Sequence, residues 1–389
     1  MVIELRLEGA LRQEEDLEEF LDWLEAFANE KKQQLEIYQD YALIKICPYG
    51  DISLQWEGKY LTFSSDASMI GPGYYDYVYH LLQHIKAESD LEWDLYDPCG
   101  YQDHQDFETL KFQYFYPFLT ALKELALSNE SGSPYLCSQY EDYLPMPKDD
   151  CAVTMMGYLS LSALRNMDVE SFALSFYVWN EKGINATYYR NCAQVLLWNR
   201  CYFEYSNMNG ESMKAAEDII SYLEAAYEID DSLPLFMHEY KLLCEKLNVT
   251  PVIQKAQSLP VEEIGYRHQL VLRQVEGWNV WFDGMASLFY DRALEHYCLN
   301  APYHEEEEDW HYFVRFTTKQ AYQPLEHVMT RENVTITYQK QLNETEQSML
   351  VQCKCDEQVI SFEILAQEEA SLDMILDWIL LIEYLGGEA

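Results

Sequence analysis

The sequence predicts an α+β protein in which two mixed strand-and-helix domains flank a central helical-hairpin region. Three observations carry that prediction. Over 153–247 the apolar residues recur at steps of three and four, the period of a helix with one buried face. Before and after that stretch, short runs alternate apolar and polar residues singly, as half-buried strands do. Stretches rich in Ser and Pro, 128–150 and 248–260, mark the joins. The division that follows is 1–128 for the first domain, 129–150 for a linker, 151–250 for the helical region and 261–389 for the last domain. A chain of 389 residues fits this division, since one compact core rarely serves more than about 250–300 residues.

The first domain opens with Ile3, Leu5 and Leu7 alternating with Glu4, Arg6 and Glu8, which predicts a strand. Leu17, Phe20, Leu21, Leu24 and Phe27 then predict an amphipathic helix with an acidic outer side. Residues 35–38 and 42–46 read as strands. Ile52, Leu54 and Trp56 lead into the turn Glu57-Gly58-Lys59, and Leu61 and Phe63 alternate back, so a hairpin is expected. Gly71-Pro72-Gly73 precedes a helix whose buried side is Tyr74, Tyr77, Val78, Leu81, Leu82 and Ile85. Free N–H groups at such a helix start can hold an anion. No phosphate-loop lysine and no GxGxxG accompanies them, which favours a tight strand-to-helix turn. A further helix over 106–127 carries Pro117, where a kink or break is expected.

In the helical region, Phe172, Phe176 and Trp179 form one stripe. Tyr188, Cys192, Val195, Leu196, Tyr202 and Phe203 form the second, and Ala215, Ile219, Tyr222, Leu223 and Ala226 the third. Asp168 and Asn185 stand where N-caps belong, Gly183 where a helix ends, and Asn209-Gly210 breaks the chain before Glu211 and Ser212. Pro234 is suited to a first helical turn. In the last domain, Trp278, Val280 and Phe282 alternate, as do Tyr312, Val314 and Phe316. Residues 334–338, 349–353 and 359–364 predict further strands. Ser371 is placed to cap a final helix that buries Leu372, Ile375, Leu376, Ile379 and Ile382.

Ala226-Tyr227-Glu228-Ile229-Asp230-Asp231 resembles the end of the second helix of a tetratricopeptide repeat. The resemblance spans roughly half a repeat, Tyr202 and Tyr205 stand where the repeat keeps small residues, and no second copy follows at about 34 residues. These departures favour generic helical hairpins, and a helical-repeat-like scaffold that offers a peptide groove on 153–247 is one alternative function.

Charge sets the functional expectation. The net charge is -41, and aromatic residues make up 15% of the chain, 32 of them Tyr. Such a surface repels nucleic acid and anionic membrane, which need cationic contacts. It draws in basic partners, and tyrosine supplies apolar area with a polar tip. The expectation is a non-enzymatic protein-binding protein that holds a basic partner on an acidic, tyrosine-rich face; an immunity-type inhibitor of a basic toxin or nuclease is its concrete form. The densest such stretch is Tyr303, Glu305, Glu306, Glu307, Glu308, Asp309 and Trp310. Oligomeric state is left open. Val2-Ile3-Glu4-Leu5-Arg6 is no signal-peptide core, no run of ~18 apolar residues exists, and ten cysteines without a CxxC suit a reducing compartment. A cytoplasmic location is therefore expected.

The alternative is a metal-dependent hydrolase. Asp76, His80 and His84 lie four apart, a spacing that gathers side chains on one helix face, with Asp103 or His104 as outlying ligands. Leu81 takes the place of the glutamate that zinc helices carry after the first histidine. His296, His304, the carboxylates 305–309 and His311 form a second candidate set, although like charges in a row usually mark a solvated loop. Cys353-Lys354-Cys355 lies in a strand pattern without two further ligands, and GxSxG is absent. No cofactor motif is present, so no cofactor is expected.

Overall fold

A computed structural model describes residues 2–128, 133–137, 143–201, 210–259, 264–300, 311–331, 333–343 and 347–386. The protein is α+β, with 37% helix and 32% strand in antiparallel sheets that flank a helical region.

The first body contains β1 (Glu4–Ala10), α1 (Leu17–Glu30), β2 (Gln34–Ile37), β3 (Tyr41–Cys47), β4 (Gly50–Glu57), β5 (Tyr60–Asp66), α2 (Pro72–Glu88) and β6 (Trp93–Tyr96). The strands form one sheet in the order β2-β3-β4-β5-β1-β6, so the first strand lies between the fifth and the last. Alternation buries Leu5, Leu7, Ile52, Leu54, Leu61 and Phe63 on one side. There they join Phe20, Leu24 and Phe27 of α1 and Tyr74, Val78, Leu82 and Ile85 of α2 in one core.

Pro117 does not break its helix. The chain passes from Phe107–Leu110 through a π-helical turn, Lys111–Phe115, into Tyr116–Ser128. The wider turn accommodates the missing N–H without stopping the helix.

The region 151–250 opens with a hairpin, Cys151–Thr154 with Gly157–Ser160, where helix was expected from 153 onward. Gly157 turns it with φ at +119° and lets Trp198 approach closely. The helices Val169–Phe176, Ala186–Asn199, Gly210–Ile229 and Met237–Lys246 follow. Asp168 caps the first by accepting from the Ser171 N–H at 2.7 Å, and Asn185 caps the second by accepting from the Tyr188 N–H at 2.8 Å. Pro234 lies before its helix rather than in the first turn, because Leu235 is held extended against Ser258. Phe172, Phe176, Tyr188, Cys192 and Val195 pack into the first body's core. Leu197, Ile219, Leu223, Tyr240 and Leu243 make a core of their own.

Described residues within the two stretches read as linkers make contacts of their own. Leu144–Pro145 pairs with the strand Leu270–Val275 in a four-stranded sheet, and Tyr240 Oη accepts from the Val252 and Ile253 N–H groups. A seven-stranded sheet runs in spatial order Ser287–Asp291, His296–Asn300, Tyr312–Thr317, Gln358–Ala366, Gln347–Cys355, Val334–Leu342, His327–Arg331. The helix Glu369–Ile379 packs on it through Leu372, Ile375 and Ile379. Its N-cap is Glu368, so Ser371 lies within the first turn instead of capping it. Among the described residues, no helix is long and apolar enough to cross a membrane.

Candidate protein-interaction surface

The same alternation that fills the first core points a second set of side chains away from α1 and α2. Glu4, Arg6 and Glu8 leave β1, Ser53, Gln55 and Glu57 leave β4, Thr62, Ser64 and Asp66 leave β5, and Asp94 and Tyr96 leave β6; none of them is buried. Register lines them up across the strands. Tyr96 lies opposite Arg6, Arg6 opposite Ser64, and Ser64 opposite Ser53. A second row runs Asp94, Glu8, Thr62, Gln55, Tyr41.

The strands of this side carry seven carboxylates, Glu4, Glu8, Glu36, Asp51, Glu57, Asp66 and Asp94, against the two cations Arg6 and Lys45, with Lys59 Nζ at its edge 5.7 Å from the Tyr60 ring centre. Both cations are already engaged. Arg6 sits between Glu4 at 2.9 Å and Glu8 at 3.7 Å. Lys45 bonds Asp51 at 2.6 Å and faces Glu36 at 3.8 Å. Burial alone would lower the Lys45 amine, yet the Asp51 bond and the charges of Asp51 and Glu36 hold its pKa above the ordinary lysine value.

Tyrosines gather on the same body. Tyr38, Tyr41, Tyr60 and Tyr96 are 45%, 38%, 63% and 60% exposed, and only Tyr135 and Tyr290 match them among the described residues. Tyr38 and Tyr41 stack with ring centres 4.5 Å apart, and the Tyr38 hydroxyl donates to Glu36 at 3.0 Å. Most other tyrosines serve the interior, as the fully buried Tyr74, Tyr75, Tyr101, Tyr177, Tyr240 and Tyr266 do. Over the paired strands β1 and β6 lies an open groove of about 600 Å³, lined by Val2, Glu4, Arg6, Glu8, Asp94, Leu95, Tyr96 and Pro98. The arrangement presents anionic oxygens beside aromatic rings, as a surface for cationic side chains requires.

The sequence places its densest acidic and aromatic stretch at 303–310. Tyr303, His304, Glu305, Glu306, Glu307, Glu308, Asp309 and Trp310 lie outside the described residues. His311 is half-buried at the start of the strand Tyr312–Thr317, its carbonyl accepting from Gln367. The outward pattern of Glu4, Arg6 and Glu8 was legible in the sequence. Its neighbour Asp94 was not, because β6 is a four-residue strand with no clear alternation.

Asp76, His80 and His84 share α2 but do not converge. Asp76 is buried, and its Oδ1 accepts from the Tyr101 hydroxyl at 2.5 Å while facing His80 Nε2 at 3.5 Å and Lys182 Nζ at 3.8 Å. His84 turns to Glu88 at 3.3 Å. His104 packs edge-on against Tyr101 and accepts from the Asp106 N–H through Nδ1. Among the described residues, no three His, Cys, Asp or Glu side chains are grouped to hold a metal ion. The Gly73 N–H at the start of α2 is occupied by the Trp179 carbonyl at 2.9 Å, which makes Gly71-Pro72-Gly73 a packing turn. Cys353 and Cys355 are both buried, and burial pushes both thiols up, away from reactive thiolate. No protein-family model, curated protein or solved structure is detectably similar to this chain.

Proposed function

We propose that this protein is a non-enzymatic binding protein that holds a basic protein partner against the outward side of its first sheet. The observation that supports the reading is one surface combining seven carboxylates, two internally paired cations and four exposed tyrosines. The carboxylates steer a cationic partner in and set its orientation. Tyr60 and Tyr96 supply the area that is desolvated on contact. An immunity-type inhibitor covering the cationic groove of a basic toxin or nuclease is the concrete form. The test is affinity capture with the wild type and with Glu8→Gln/Asp94→Asn/Tyr96→Ala, each at low and high salt. A basic protein held by the wild type at low salt, released by salt and lost by the variant is the expected result. A variant that retains the same basic proteins would overturn the reading.

A further inference from the structure

We infer that the partner's contact element is an extended basic segment that pairs along β6 as a seventh strand of the first sheet. The inference rests on the reading above that this side receives a basic protein, and it adds the mode of contact. β6 is a terminal strand of its sheet, and among the described residues no backbone hydrogen bond from any segment other than β1 reaches Trp93, Asp94, Leu95 or Tyr96. Unpaired strand edges are templates for strand addition, and proteins commonly blunt them with lysine or proline. The strand Trp93–Tyr96 carries neither, and Trp93 and Tyr96 favour the strand state.

Charge selects this edge over the other one. At β2, Lys45 lies directly opposite Gln34, and Lys214 Nζ reaches Gln34 Oε1 at 3.0 Å, so a basic segment would meet cations. At β6 the neighbours are Asp94 and, one strand in, Glu8 and the Arg6 that Glu4 and Glu8 already pair, with the Tyr96 ring exposed beside them. An added strand about 4.8 Å from β6 would place every second side chain beside Asp94 and Tyr96. The intervening side chains would lie beside Trp93 and Leu95. The fitting segment therefore alternates cationic and apolar residues.

The experiment uses the full chain and a synthetic peptide of alternating Arg and Val, alongside the same peptide N-methylated at every second backbone amide. Affinity is measured by calorimetry, and hydrogen exchange is followed at residues 93–96. The unmodified peptide should bind and slow exchange at those amides. N-methylation should cost about tenfold or more, the loss of a few net backbone hydrogen bonds. Equal binding of both peptides with unchanged exchange at 93–96, while Glu8→Gln/Asp94→Asn still weakens binding, would overturn strand addition and leave the acidic-face reading standing. Binding that is indifferent to Glu8→Gln/Asp94→Asn as well would sink both.

Discussion

Gly73 lies directly beneath Trp179. A Cβ on Gly73 would stand 2.1 Å from Trp179 Cδ1, and the Gly73 N–H donates to the Trp179 carbonyl at 2.9 Å. The start of α2 is thus a seam between the first body and the helical region. Trp179 is almost fully buried and also packs against the Tyr188 ring, their centres 4.1 Å apart, so it has little room to yield. Gly73→Ala is expected to cost about 1–3 kcal/mol, the usual range for overpacking. Thermal melting with the near-ultraviolet circular dichroism of tryptophan would read it. An unchanged melting temperature and spectrum would show that the seam is looser than these distances imply.

A second polar contact of α2 is equally specific. The buried Asp76 carboxylate depends on the Tyr101 hydroxyl at 2.5 Å, while Lys182 at 3.8 Å is mostly solvated. Tyr101→Phe keeps the ring contacts and removes only the donor. It should destabilise the protein by about 1–3 kcal/mol, because the acceptor left behind is buried. Asp76→Asn in the Tyr101→Phe background should then cost less than it does alone. Additive losses in this double-mutant cycle would mean that the two groups are not coupled.

These two contacts mark where sequence reading succeeds and where it stops. Alternation at Leu5 and Leu7 or Leu61 and Phe63, and the caps Asp168 and Asn185, are local signals, and the structure follows them. Pro234 and Ser371 gave local signals too, but the extended pairing of Leu235 and an earlier cap at Glu368 prevailed. The insertion of β1 between β5 and β6 is a non-local pairing, and no local period encodes it. The proposed interaction surface was hidden for the same reason. Glu8 and Asp94 meet only through that pairing, and among 67 acidic residues neither is distinctive by type.

The interior tyrosines predict alkaline sensitivity. Burial pushes the phenol of Tyr158 up to about 12, and it raises Tyr74, Tyr75, Tyr177 and Tyr188 as well. The folded chain keeps protons that the unfolded chain loses near pH 10. Their contribution is fully present below that value and declines as pH rises from about 10 through 12, since the unfolded state then binds fewer protons. Phenolate absorbance and circular dichroism should therefore change together in one steep alkaline transition. Smooth ionisation of every tyrosine near pH 10 with the fold intact would contradict this.

Arg6 yields the least intuitive expectation. Its guanidinium occupies Glu4 and Glu8 in the free protein, so it competes with any partner cation for the same oxygens. The side chain is 42% exposed, and pairs of that kind contribute little to stability. Arg6→Gln should leave the melting temperature almost unchanged while freeing two carboxylates beside Asp94. A basic ligand such as the Arg-Val peptide should then associate faster at low salt, by a few-fold, with the gain fading as salt is added. Stopped-flow kinetics across a salt series would measure it. Slower association by the variant would mean that Arg6 helps to hold the ligand rather than shielding its site.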